Sequence, residues 1–282
     1  MATISAKAVK SLRDRTGAGM MDCKKALQEA GGDEEQAIDL LRKWGAAKAA
    51  KRSERATSEG LVHVEEQGER YAMVAVASET DFVARNDEFR DFAERLARHV
   101  LTEGDLPDGE TVGGDALLER DAFAAFADEI VDLRARIGEN VTVEQAARLE
   151  PQDDSSVASY VHFGGKIGVL VELSGGSGHD EAAREVAMHV AATDPIGVSP
   201  DDIPTEERDR ERKLLAEQAK EEGKPESIVE KIVEGRMRKF YEQNALLLQP
   251  FVKDQDVTIQ ALLNGVAEGL TVRRFVRFQI GD

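Results

Sequence analysis

The stretch that decides the fold runs Tyr71-Ala72-Met73-Val74-Ala75-Val76-Ala77 and then Ser78-Glu79-Thr80-Asp81-Phe82-Val83-Ala84-Arg85-Asn86-Asp87-Glu88-Phe89. The first seven residues are continuously apolar and read as a buried strand. From Asp87 to Val100, Phe89, Phe92, Ala93, Leu96, Ala97 and Val100 recur at helical spacing and predict one apolar face. Asn86 or Asp87 is placed to cap that helix. The segment between is therefore a turn from strand to helix, carrying an acid beside a large aromatic. A phenylalanine there either folds back onto its own core or projects into a partner.

Working outward, Gly60-Leu61-Val62-His63-Val64 precedes the polar Glu65-Glu66-Gln67-Gly68-Glu69-Arg70, so the strand at 71–77 is the second arm of a hairpin. His63 alternates with Val62 and Val64 and reads as the exposed face of its strand. Gly104 to Gly114, with Pro107, reads as a loop. Ala116 to Ile137 reads as a helix, closed by Gly138-Glu139-Asn140 before a strand at Val141. Val157 to Leu173 is a second hairpin turning at Gly164-Gly165, followed by a helix from Asp180 to Ala192. The sequence of hairpin, loop and helix thus occurs twice. Its two helices close alike, on Leu96-Ala97-Arg98-His99-Val100 and Val186-Ala187-Met188-His189-Val190. We infer an α+β chain with a duplicated core, helices covering one face of each antiparallel sheet. The second copy lacks an Asp-Phe pair, so the packing of the repeat does not demand Asp81 and Phe82.

Residues 4–44 read as three short helices. Ser5 and Asp33 are caps for the first and third, and Thr16-Gly17-Ala18-Gly19 breaks the chain after the first. Met20 and Met21 beside that turn suit either core filling or a soft contact surface. Lys43 to Ser58, rich in Ala, Lys and Arg, reads as a helical or flexible linker, and its basic run Arg42 to Arg55 as a solvated helical face. Ser199-Pro200 and Pro204-Thr205 read as helix starts. Thr205 to Glu222 and Ile228 to Phe240, joined by Gly223-Lys224-Pro225, predict an antiparallel helical hairpin that protrudes as a coiled coil. A short helix at Thr258–Leu263 and a strand at Leu270–Ile280 complete the chain. The expected division is 1–56, 57–140, 141–204 with 245–282, and 205–244 for the inserted hairpin.

Composition narrows function. The chain has 282 residues, 41% hydrophobic and 33% charged, with no run of 18 apolar residues. Its amino terminus lacks the apolar core of a signal peptide. One cysteine, Cys23, leaves no internal disulfide framework and fits a reducing cytoplasm. A net charge of −18 argues against broad binding to a phosphate backbone, so no direct nucleic-acid or membrane partner is expected. There is no Gly-x4-Gly-Lys-Ser/Thr loop, no Gly-x-Ser-x-Gly elbow and no paired His or Cys spacing for a metal. Neither cofactor nor covalent catalysis is expected.

The words of the sequence say more. Glu79-Thr80-Asp81-Phe82-Val83-Ala84-Arg85-Asn86 and Leu12-Arg13-Asp14-Arg15-Thr16-Gly17-Ala18-Gly19-Met20-Met21-Asp22-Cys23-Lys24-Lys25-Ala26-Leu27 resemble, in order, two signatures of the elongation factor Ts family. Ile137-Gly138-Glu139-Asn140, Gly235-Arg236-Met237-Arg238-Lys239-Phe240 and Gln249-Pro250-Phe251-Val252 resemble further family motifs. The resemblance implies a ubiquitin-associated-like (UBA-like) amino-terminal module and a coiled-coil insertion. It implies a guanine nucleotide exchange factor for the translation GTPase elongation factor Tu, releasing GDP by disturbing the bound Mg2+. It places Thr80, Asp81, Phe82 and Val83 at that step, with Phe82 as the wedge. Met20, Met21, Lys24, Ile137, Gly138, His162 and Val252 are implied as further Tu contacts. Position 253 is Lys where the family often has an apolar residue. Some members continue into a further helical module, and its contact with Tu is not expected here. The alternative is a ubiquitin-associated-like adaptor that scaffolds partners without exchange activity.

Overall fold

The Ser5 side chain accepts a hydrogen bond from the Ala8 amide and starts α1 (Ala6–Thr16). Gly17 ends that helix at φ 66°, the left-handed conformation glycine adopts without steric cost. α2 (Met20–Glu29) follows, and Asp33 caps α3 (Glu34–Arg52) through the Gln36 amide. Val9, Leu12, Cys23, Ala26, Leu27, Ala37 and Leu41 share one small core. The computed structural model describes residues 4–103 and 106–281. The stretch expected to be a linker, Lys43–Ser58, is helical through Arg52. Its buried positions beyond Trp44 are small, so no apolar stripe advertises them. Ala49 is fully buried, and Gly45 faces Ala135 so closely that an added Cβ would stand 3.2 Å from the Ala135 Cβ.

β1 (Glu59–Gln67) and β2 (Arg70–Ser78) pair antiparallel with only Gly68-Glu69 between them, so most of the expected polar loop is strand. Along β2, Ala72, Val74 and Val76 face a helix-side core, while Tyr71, Met73, Ala75 and Ala77 face a second core on the opposite side. Burial on both faces is why the stretch reads as continuously apolar. α4 (Asp81–Ala84) is a single turn, and α5 (Asp87–Thr102) starts at Asn86, whose side chain accepts from the Glu88 amide at 2.8 Å. All six apolar residues expected on its inner face are fully buried.

Part of the loop expected at 104–114 is β3 (Thr111–Gly113); Gly104 and Asp105 lie outside the described residues. The expected helix at 116–137 is broken into α6 (Gly114–Leu118), a 3-10 turn at Asp121–Phe123 and α7 (Ala124–Ile137). The break lets both Leu117 and Phe123 bury in the helix-side core. β4 (Val141–Leu149) returns antiparallel to β2 and carries β3 on its far side, giving the order β1-β2-β4-β3. The division expected between 140 and 141 therefore does not follow the hydrogen bonding. Val141–Leu149 is the third strand of the first sheet, not the start of the second unit.

β5 (Ser155–Val161) and β6 (Ile167–Ser174) turn through Gly164 and Gly165, both at positive φ, and α8 (Asp180–Thr193) follows. Ser199-Pro200 opens a turn, not a helix: the Ser199 amide and hydroxyl both donate to the Asp202 carboxylate. α9 (Thr205–Glu221) and α10 (Glu226–Asn244) pack together through Leu215, Ala219, Val229, Val233 and Met237. A small unexpected hairpin, β7 (Pro250–Phe251) with β8 (Asp254–Thr258), precedes α11 (Ile259–Val266). β9 (Thr271–Gln279) then pairs with β6, giving the order β5-β6-β9.

In both units two strands and a helix are followed by a strand that returns to pair with the second, so β1-β2-β4 matches β5-β6-β9, and β3 is an extra edge strand of the first sheet. Both middle strands also carry a register shift, at Ala75/Val76 and Glu172/Leu173. The faces not covered by helices meet each other, burying Val62, Met73, Leu149, Leu170, Val276 and Phe278. The sheets approach so closely that a Cβ on Gly168 would lie 2.4 Å from Val62 Cγ1. The result is helix, sheet, sheet, helix.

Candidate functional site

Val83 is buried in the helix-side core and ties α4 to the first sheet. Phe82, its neighbour, points the other way and is 81% exposed. Asp81 forms an ion pair with Arg85 one turn along, at 3.1 Å. An aromatic so exposed gains nothing for the fold; single exposed apolar residues are common on protein surfaces, and what sets Phe82 apart is the turn that carries it.

The turn that carries Phe82 is held rigidly. The Glu139 carboxylate accepts from the Thr80 amide at 3.0 Å and from the Thr80 hydroxyl at 2.8 Å. Reciprocally, Glu79 accepts from the Asn140 amide at 2.6 Å. The Ser78 hydroxyl donates to the Thr80 carbonyl at 3.0 Å. Gly138, at φ 88°, ends α7 in the left-handed conformation and swings Glu139 into place. Asn140 donates its side-chain amide to the Ser53 and Arg55 carbonyls, and Arg55 pairs with Glu79 at 3.2 Å. Charge-assisted bonds of this kind are the stronger ones, and several together fix the turn before any partner arrives.

Thr80–Val83 and Ile137-Gly138 are therefore brought together, with half-buried Ile137 packed against the helix-side core. Met20 and Met21, 47% and 74% exposed, stand at the start of α2, with Lys24 exposed one turn on. The turn before them reaches the same end of α7. Gly17 sits over Arg136, where an added Cβ would lie 3.1 Å from Cδ, and Arg136 Nε pairs with Glu88 at 3.2 Å.

His162 and Val252 are not in this cluster; they belong to the second unit. His162 is exposed, its Nδ1 3.1 Å from the Tyr160 hydroxyl. Val252 is 40% exposed, and its amide donates to Nδ1 of the fully buried His189 at 3.3 Å. His189 Nε2 donates to Gln249 Oε1 at 2.9 Å, so the ring is neutral. Burial lowers its pKa, and the Gln249 hydrogen bond pulls the other way.

The family model described as Elongation factor TS matches residues 79–282. The chain belongs to the elongation factor Ts family. The match opens on Glu79, the first residue of the clamp, and takes in every expected contact except Met20, Met21 and Lys24. Members of the family are translation elongation factors.

Sequence reasoning missed two features. Phe163, on the turn between β5 and β6, is 98% exposed, the most exposed large apolar residue among those described. The same turn is pinned to β1 by the Val62 amide donating to the Gly165 carbonyl at 2.7 Å. A Phe inside an apparent strand run gave no signal of this. Glu79 and Glu139 were visible only as motif letters, because their partners lie about sixty positions away along the chain. Among the described residues no three His, Cys, Asp or Glu side chains group to hold a metal ion, and no helix is long and apolar enough to cross a membrane.

Proposed function

We propose that the chain is a guanine nucleotide exchange factor for elongation factor Tu, acting in the cytoplasm during translation elongation. The observation that carries this reading is Phe82, displayed at 81% exposure on a turn clamped by Glu79 and Glu139. Exchange needs no covalent step. It needs a coupling free energy, so that factor and GDP weaken one another on the GTPase. GDP is held in large part through Mg2+ bridging its phosphate to protein oxygens. Phe82 enters an apolar gap in the GTPase domain as a wedge, and the elements that hold Mg2+ move. Asp81 brings a second anion toward that side, and Thr80 and Val83 fix the wedge from behind. Desolvated aromatic anchors dominate interface energetics, so Phe82→Ala costs about 1–3 kcal/mol of binding to nucleotide-free Tu.

In this reading α1–α3 form a ubiquitin-associated-like module whose Met20, Met21 and Lys24 touch Tu, and α9–α10 form a coiled-coil insertion. Ile137-Gly138, His162 and Val252 complete the contact, and Phe163 adds an aromatic beside His162. The test is the release of fluorescent GDP from Tu of the same source, chased with unlabelled GDP, with and without the chain. Acceleration supports exchange; binding to Tu without acceleration replaces it with the adaptor reading.

A further inference from the structure

The two exposed apolar sites, Met20-Met21 and Phe82, come from parts of the chain some sixty residues apart, yet each follows a turn held at the C-terminal end of α7: the Gly17 turn lies over Arg136, and Thr80 is clamped by Glu139 just past Ile137. What joins them is the seam where α3 crosses α7. At its centre Gly45 faces Ala135 closely: an added Cβ would fall 3.2 Å from the Ala135 Cβ, a tight contact that a methyl meets with a shift of a few tenths of an ångström and a longer side chain does not. Toward one end Arg52 Nη1 donates to the Arg134 carbonyl at 2.9 Å, the same carbonyl that receives the Gly138 amide at 3.1 Å where α7 ends. Beyond α3 the Ser53 and Arg55 carbonyls receive the Asn140 side chain, next to the clamp on Thr80. On the other side the Gly17 turn lies over Arg136, which reaches Glu88 in the first turn of α5. A cleft of about 400 Å3 remains along the seam, lined by Arg15, Trp44, Lys48, Arg52, Asp132 and Arg136 among others.

We propose that this seam is a positioning element. It fixes the Met20-Met21 tip relative to Phe82, so that the two patches meet Tu as one preformed, two-part anchor. The inference rests on the exchange reading and adds to it where that reading places no residue: Gly45 and Arg52 position the contact without touching the partner. A module on a loose tether would have to be ordered at each encounter. A docked one has met that cost already and presents its second patch at a high effective concentration.

Gly45→Leu tests this directly. Leu is a better helix former than Gly, so α3 itself is not weakened, while the added volume wedges α3 off α7. Trp44 is the only tryptophan in the chain and lines the cleft, so its emission reports the seam without Tu present. The expected result is a red shift of Trp44 and a concentration for half-maximal GDP release raised about tenfold, with the maximal rate kept, because Phe82 is intact. Met21→Ala raises the half-maximal concentration in the wild type and adds little in the Gly45→Leu background, since the tip no longer acts in register. Gly45→Ala behaves as wild type. Arg52→Met, which removes only the bond to Arg134, shifts both readouts the same way by a smaller factor and serves if Gly45→Leu folds poorly. A red shift of Trp44 with unchanged half-maximal concentration overturns the proposal, as does an unmoved Trp44. If wild type itself fails to accelerate release, the exchange reading has fallen, and that shows before any seam variant is compared.

Discussion

Phe82 and Val83 are neighbours with opposite fates: one is 81% exposed, the other 7%. The fold uses Val83 and spends nothing on Phe82, so Phe82→Ala leaves unfolding stability within about 0.5 kcal/mol of wild type, as for other surface changes. Chemical denaturation of both proteins checks this. The absence of an Asp-Phe pair from the second copy of the repeat already marked Phe82 as free of packing duty. Phe163 carried no such mark, because an apolar residue among apolar neighbours looks like strand until its turn is seen. His189 is a different case. Its depressed pKa means that the unfolded chain takes up the proton first as pH falls. The stability it contributes is whole above its ordinary value of 6.5 and declines as pH drops through that value toward the lower folded one. Melting temperatures of wild type and His189→Asn, measured from pH 7.5 to 5.5, should therefore converge as the solution becomes acidic. A gap that widens would contradict the neutral, buried ring.

At the scale of elements, what could be read was whatever a local pattern announces. The inner face of α5 and its Asn86 cap were legible because spacing and capping chemistry sit within one helix. The second half of α3 was legible only as a helical or flexible linker, and its docking was not, because Gly45 and Ala49 bury small surfaces that show no apolar period. β3, β7 and β8 were missed for another reason: strands of two to five residues are specified by their partners rather than by themselves. The clamp between Glu139 and Thr80 belongs to this level too. Glu139→Ala removes both acceptors from Thr80 and costs about 1–2 kcal/mol, while leaving Phe82 in the chain. We expect faster hydrogen exchange at the Thr80 amide and slower GDP release from Tu. Unchanged release would mean that the turn needs no clamp to act.

Across the whole molecule the two sheets are joined by more than apolar contact. Glu172, fully buried, lies opposite Arg274 in the β6–β9 register, and its carboxylate accepts from Arg274 Nε at 2.6 Å and from the Gln152 amide at 3.0 Å. Arg274 goes on to Asp108 at 2.9 Å and to the Glu150 carbonyl at 3.0 Å, so one guanidinium ties the second sheet to the first unit. Arg274→Met leaves a buried carboxylate short of its main partner and should cost about 3 kcal/mol on denaturant unfolding, with much of the loss recovered in Arg274→Met/Glu172→Met. No local pattern could reveal a pair brought together from residues 172 and 274. The duplicated architecture was legible, since each copy repeats its own order of elements, but the face-to-face meeting of the copies was not. The Phe82 turn itself is held on the helix side of the first sheet, by Val83 and by the bonds of Glu79 and Glu139, and from there the exposed Phe82 is proposed to drive nucleotide release. The most direct measurement is the rate of fluorescent GDP release from Tu at saturating factor, wild type against Phe82→Ala. Strong acceleration by wild type and its near-complete loss in an equally stable variant are the expected result. A Phe82→Ala protein that releases GDP as fast as wild type would contradict it.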